Sequence, residues 1–260
     1  MKLGICTGFE NMEKAAAFGF DYFEVGVGSV ANLSDEEFAA IKAKVDASPI
    51  KPEAANVMLP GPFHVTGEEA DHEEIERFLK KVFPRLASLG IKSVVFGSGG
   101  ARRIPEGFSH EKAWDQMVAA SRIIARVAGE NGITIALEPL NTKETNIINS
   151  VAEGGKMVEE VDHPAFMLLA DYYHVGIENE GFDGIKTYGK YLRHTHIAHP
   201  TLRTVPKEGD EGNYEAFFAA LRETGYDARV SIEGHVADFD GELPTAVTYL
   251  KGLIAAEARA

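Results

Sequence analysis

At 260 residues with a formal net charge of −14, the chain has the length of one large domain and a field that repels polyanions, which argues against nucleic acid as a partner. A hydrophobic fraction of 45% with 25% charged residues is that of a soluble globular protein, and no apolar run nears the roughly 18 residues that span a bilayer. The single cysteine, Cys6, excludes an internal disulfide framework and a cysteine-based zinc site. The opening Met1-Lys2-Leu3-Gly4-Ile5-Cys6 reads as no secretory signal, so a reducing, cytoplasmic setting is expected.

Short apolar, β-branched segments alternate with amphipathic ones from end to end, the pattern of parallel βα units. Strands are predicted at 2–6, 22–27, 52–57, 93–96, 134–138, 165–171, 192–198 and 229–233. After the second strand, Ser34-Asp-Glu-Glu37 reads as a reciprocal helix cap. After the third, Ile75, Phe78, Leu79, Val82, Phe83, Leu86 and Leu89 form one apolar stripe at helical spacing. Trp114 and Met117 read as packing residues of the next helix, and Ser150-Val-Ala-Glu153 as a second reciprocal cap. The units repeat at about 30 residues with no linker or low-complexity break, so one domain, 1–260, is expected. Eight such units point to an α/β fold closed as a (β/α)8 TIM barrel. An open doubly wound sheet is the alternative, because periodicity alone does not show that the first strand meets the last.

The last four strands each end on a polar residue after an apolar run: Glu138 in Ile-Ala-Leu-Glu, Asp171 in Leu-Leu-Ala-Asp, His196 in His-Thr-His and Glu233 in Val-Ser-Ile-Glu. Each alone has a bland reading as a cap or loop residue. In a parallel barrel, however, the C-terminal strand ends share one mouth, so all four would converge. Three carboxylates brought together repel unless a cation neutralises them. An oxygen-rich set with one imidazole suits a single divalent ion, manganese foremost, with magnesium, cobalt or zinc as alternatives.

The segments Glu138-Pro-Leu-Asn-Thr-Lys-Glu144-Thr-Asn146, Asp171-Tyr-Tyr-His174, His194-Thr-His196 and Ile232-Glu233-Gly resemble the xylose isomerase-like barrel superfamily. The likeness is to its sugar phosphate isomerase/epimerase group, which includes ketose 3-epimerases and hydroxypyruvate isomerase. It covers nearly the whole chain in strand order. The resemblance implies that Glu138, Asp171, His196 and Glu233 are metal ligands, with Glu138 and Glu233 also the acid/base pair, and that Glu144 and His174 contact substrate oxygens. An arginine that follows the metal histidine in the family has Leu202 at its offset here, and Arg203, one residue later, is the substrate-binding candidate that the resemblance implies. The resemblance also implies a homodimer or homotetramer.

The chemistry is coherent on its own terms. A proton beside a carbonyl is too weakly acidic for a carboxylate alone, so the enediolate needs a cation next to its oxygens. One glutamate removes the proton and a second returns it from the opposite face, which epimerises; return to the neighbouring carbon isomerises instead. A small sugar or sugar-like ketone is therefore the expected ligand. Arg103, in the glycine-rich loop after the fourth strand, and His64, after the third, are further substrate-binding candidates, each with the alternative of an ordinary loop residue. His194 shares the inward side with His196, two residues deeper. No Walker or dinucleotide fingerprint is present, and no nicotinamide is expected. The competing readings are a phosphodiesterase resembling endonuclease IV, a lyase or dehydratase using the same enolate, and a non-catalytic sugar-binding barrel. The first lacks a histidine after the fourth strand and a basic face; the last has no reason to keep both Glu138 and Glu233.

Overall fold

Eight parallel strands close on themselves in chain order in the computed structural model, which describes residues 1–256. The last four residues of the expected 1–260 domain lie outside the described residues. The strands are β1 (Lys2–Cys6), β2 (Tyr22–Gly26), β3 (Pro52–Asn56), β4 (Ser93–Phe96), β5 (Thr134–Leu137), β6 (Phe166–Asp171), β7 (Leu192–Ile197) and β8 (Arg229–Ile232). Pairing of β1 with β8, from Lys2 opposite Arg229 to Ile5 opposite Ile232, rules out the open sheet and completes a TIM barrel.

Five predicted strands run one residue past the observed C-terminal end: those of β2, β3, β5, β7 and β8. The cause is local. Val27, Glu138 and Glu233 still donate their N–H to the neighbouring strand, at 2.9, 3.2 and 3.1 Å, but the chain is already turning into the mouth there. Val57 makes the same turn at φ 50°, a left-handed conformation that a β-branched residue adopts only under constraint.

Helices cover the outside of the barrel, and their apolar faces and the strands' outward residues form the main core. In the helix His72–Ser88, Ile75, Leu79, Val82, Phe83 and Leu86 are buried as the stripe predicts, and Leu89 is buried just past its end. Phe78, at the edge of the stripe, is half-buried against Phe63, with ring centroids 4.9 Å apart. Met117 is buried, and Trp114, half-buried, donates its indole N–H to Glu160 at 2.7 Å. The Ser34 capping box is complete. The second is not reciprocal: Ser150 Oγ accepts from the Glu153 N–H at 3.1 Å, but Glu153 Oε2 takes the Asn149 N–H at 2.6 Å instead of that of Ser150. Ile148, in a left-handed conformation at φ 60°, turns the chain just ahead of Asn149. No helix among the described residues is long and apolar enough to cross a membrane.

The barrel interior is built differently from the outer core. A small apolar cluster, Val95, Ala136 and Leu169, lies apart from the main one. The interior also holds Tyr22, Glu24, His194, His196 and Ser231, all fully buried. Gly4 makes this possible, since a Cβ there would fall 2.3 Å from the Tyr22 ring. Side chains two apart share a side of a strand, so the lumen carries a polar column that rises to the C-terminal mouth.

Candidate metal centre and active site

Glu138 and Glu233 stand immediately after β5 and β8, Asp171 is the last residue of β6, and His196 lies near the end of β7. Closure of the barrel brings one donor atom from each of the four within 4.8 Å of the others. His196 Nδ1 is 3.0 Å from Glu138 Oε1 and 3.4 Å from Glu233 Oε2. Asp171 Oδ1 accepts the Tyr173 N–H at 2.9 Å, while Oδ2 is buried with no hydrogen-bond partner.

His174 lies in the short helix Tyr172–Ile177 that leaves β6. Its Nδ1 accepts the backbone N–H of Asn141 at 3.1 Å, so the neutral ring carries its proton on Nε2. That atom is buried without a partner, 3.5 Å from Asp171 Oδ2 and not aligned for a hydrogen bond. A donor and an acceptor thus face the same space.

Arg203 reaches this group from the loop after β7. Its Nη2 is 2.7 Å from Glu233 Oε2, its Nη1 is 3.0 Å from Glu144 Oε1, and its guanidinium lies over the Tyr173 ring at 4.8 Å. The backbone there is left-handed, at φ 51°, held by the Arg203 N–H on His199 and the His235 N–H on the Arg203 carbonyl. Its neighbour Leu202 is 68% exposed and turned to solvent. Glu144 is fixed further by Asn141 Nδ2 at 2.9 Å.

Two candidates are not brought to the group. His64 is exposed on the loop after β3, 3.7 Å from Glu69. Arg103 gives its guanidinium to the backbone carbonyls of Lys143 and Glu144 and so braces the loop that carries Glu144.

Burial and the charges of Glu138 and Glu233 push Asp171 up to about 8. Burial and Glu233 likewise raise Glu138. Burial alone would raise Glu233 too, but His196 and Arg203 outweigh it and hold the carboxyl down at about 2. Burial would lower His196, yet Glu233 and Glu24 hold it well above the usual histidine range. Burial, aided by Arg203, pulls His174 down to about 3, so that ring is neutral at working pH.

A divalent ion fits this arrangement. Three carboxylates share one space, Asp171 Oδ2 has no other partner, and the oxygen-rich donors with one imidazole are the set a hard or borderline cation takes. The far nitrogen of that imidazole, His196 Nε2, is 3.1 Å from Glu24 Oε1, the arrangement that orients metal-binding histidines.

Sequence reasoning passed over four supports. Glu24, in β2, is fully buried beneath His196. A charge flanked by Phe23 and Val25 in a buried strand must face a partner in the lumen, and that signal was available. Arg102, fully buried, donates to the Phe96 carbonyl at 3.2 Å and the Glu138 carbonyl at 2.7 Å. Asn56 Nδ2 reaches Glu233 Oε1 at 3.2 Å. At Gly97 a Cβ would lie 2.3 Å from Glu138 Oε2. For these last three, nothing local in the sequence marks the contact.

The model of the xylose isomerase-like TIM barrel family matches residues 12–253. The chain is similar to the D-psicose 3-epimerase of Agrobacterium fabrum, 30% identical over 232 residues that span 86% of this chain and 78% of that one. It is also similar to the D-psicose 3-epimerase of Ruminiclostridium cellulolyticum, 29% identical over 232 residues that span 86% and 77% of the two chains. The crystal structure of the D-psicose 3-epimerase with D-tagatose from Clostridium cellulolyticum H10 superposes with a TM-score of 0.88 at 23% identity, over 98% of this chain and 100% of that one, a likeness of fold. The family match takes in every strand but the first, and the chain belongs to the xylose isomerase-like TIM barrel family.

Proposed function

We propose that the chain is a divalent-metal-dependent epimerase that inverts a carbon beside the carbonyl of a ketose, passing the proton through a cis-enediolate between Glu138 and Glu233. The observation that carries this reading is the convergence of two carboxylates from strands separated by two others, Glu138 at 3.0 Å and Glu233 at 3.4 Å from the same nitrogen of His196. The names of the relatives, D-psicose 3-epimerases, support the ketose and the position next to the carbonyl.

Glu138, Asp171, His196 and Glu233 would hold the ion, which supplies positive charge beside the enediolate oxygens. One glutamate takes the proton and the other delivers one to the opposite face of the same carbon, which inverts it. His174 offers its Nε2–H to a substrate oxygen, and its neutrality keeps it a donor without adding charge. Arg203 and Glu144, half-exposed at the rim and tied to each other, take the outer hydroxyls, and Arg203 steadies Glu233. Arg102 and Asn56 hold the glutamates' backbone and carboxylate in place.

The test is to load the protein with manganese, offer a panel of ketoses in deuterated water, and follow deuterium at the carbons flanking the carbonyl by NMR. Metal-dependent exchange at the inverted carbon is expected. Glu138→Gln and Glu233→Gln should keep the fold while turnover falls by roughly 10²- to 10⁴-fold. No exchange on any ketose with metal demonstrably bound, or full turnover in both variants, overturns the proposal.

A further inference from the structure

Glu24 sits in the lumen one layer below the four residues of the site, and three donors converge on its two oxygens. Oε2 accepts from Ser231 Oγ at 2.6 Å and from His194 Nε2 at 2.7 Å; Oε1 accepts from His196 Nε2 at 3.1 Å. Ser231 has one proton and gives it to Glu24, so the Tyr22 hydroxyl, 2.7 Å from Ser231 Oγ, must donate to it. Tyr22, Ser231 and Glu24 are each fully buried, so bulk solvent does not compete for these bonds.

A carboxylate is an acceptor only, so each imidazole nitrogen that faces it carries a hydrogen. His196 is the ring for which this matters. Its Nδ1 also faces carboxylates, Glu138 at 3.0 Å and Glu233 at 3.4 Å, so both nitrogens carry a hydrogen in the metal-free site, and a divalent cation would take the place of the Nδ1 hydrogen while Glu24 keeps the one on Nε2. From this geometry we infer that Glu24 is a positioning residue: it fixes the tautomer and the ring plane of His196, so that Nδ1 is the nitrogen presented to a divalent cation. The assignment rests on the metal reading above. It also accounts for a fourth carboxylate so close to three others, an arrangement that costs stability unless each carboxylate has a separate task.

The decisive variant is Glu24→Gln, which keeps shape and removes one acceptor. Its amide oxygen belongs at the Oε2 position, where two donors wait, and this leaves the NH2 facing His196 Nε2. His196 Nε2 then has no acceptor, so the one hydrogen of the neutral ring goes to Nδ1, where Glu138 accepts it and a cation must displace it. Manganese affinity measured by calorimetry should fall about 10- to 100-fold, the usual consequence of losing the partner that orients a metal-bound histidine. The circular dichroism of the metal-free protein should be unchanged. A second measurement needs no variant: in the zinc-loaded wild type, long-range ¹H–¹⁵N NMR should show His196 protonated on Nε2 and metal-shifted at Nδ1. Equal manganese affinity in variant and wild type, or coordination of His196 through Nε2, overturns the assignment. If the wild type binds neither manganese nor zinc, both this assignment and the metal reading fall.

Discussion

Gly97→Ala adds a single methyl group, and the structure says where it goes. The new Cβ would lie 2.3 Å from Glu138 Oε2 and 3.7 Å from the Leu140 side chain. Ordinary contact begins near 3.4 Å, so one of the two partners must withdraw by about 1 Å. The backbone of Glu138 has little freedom to do so, because its N–H is bonded to the Phe96 carbonyl and its own carbonyl to Arg102. The carboxylate itself is the soft end and rotates away. Stability should therefore change little, by about 1 kcal/mol at the low end of overpacking costs, which is a few degrees in Tm for a domain of roughly this size. Activity should change much more. A displacement of about 1 Å in a reacting group costs on the order of 10²-fold in kcat, close to 2.7 kcal/mol of transition-state stabilisation. The assay pairs kcat of the manganese-loaded variant with its melting curve. Wild-type kcat in a folded Gly97→Ala protein would refute the placement of Glu138; a collapse of Tm with normal specific activity in the folded fraction would show that the backbone yields rather than the carboxylate.

Arg203→Ala removes the link between Glu144 and Glu233 from a half-buried position, so kcat/KM should fall about 10- to 100-fold with Tm within about 2 °C of wild type. Arg203→Lys should not restore it, because a single ammonium cannot span both carboxylates as the guanidinium fork does; full recovery would deny the bridge. Chelation of metal from protein held at about 100 times Kd should cost about 2.7 kcal/mol and lower Tm by roughly 5–10 °C, read by calorimetry, and an unshifted curve would remove the ion from the site.

The periodic features were the legible ones. Eight strands and the stripe from Ile75 to Leu89 follow from side-chain alternation and helical spacing, which are properties of neighbours in sequence. Glu138, Asp171, His196 and Glu233 were legible for the same reason, since each interrupts an apolar run where a strand ends. Arg203 needed the resemblance as well as the sequence, and only its left-handed backbone explains why it, and not Leu202, reaches the site. Arg103 and His64 looked equally good as loop residues. The direction a loop side chain takes depends on partners such as the Lys143 and Glu144 carbonyls, far away in sequence.

By itself, then, the sequence determined the order of the elements, the residue types offered at each strand end and the sign of the field around the molecule. Tertiary structure alone decided that β1 meets β8, that Glu24 stands beneath His196, and that Gly97 leaves room for the Glu138 carboxylate. Strand patterns come from interactions a few residues apart, whereas these three depend on the curvature of a closed sheet. That curvature brings residues 170 positions apart, such as Glu24 and His194, within 2.7 Å of each other.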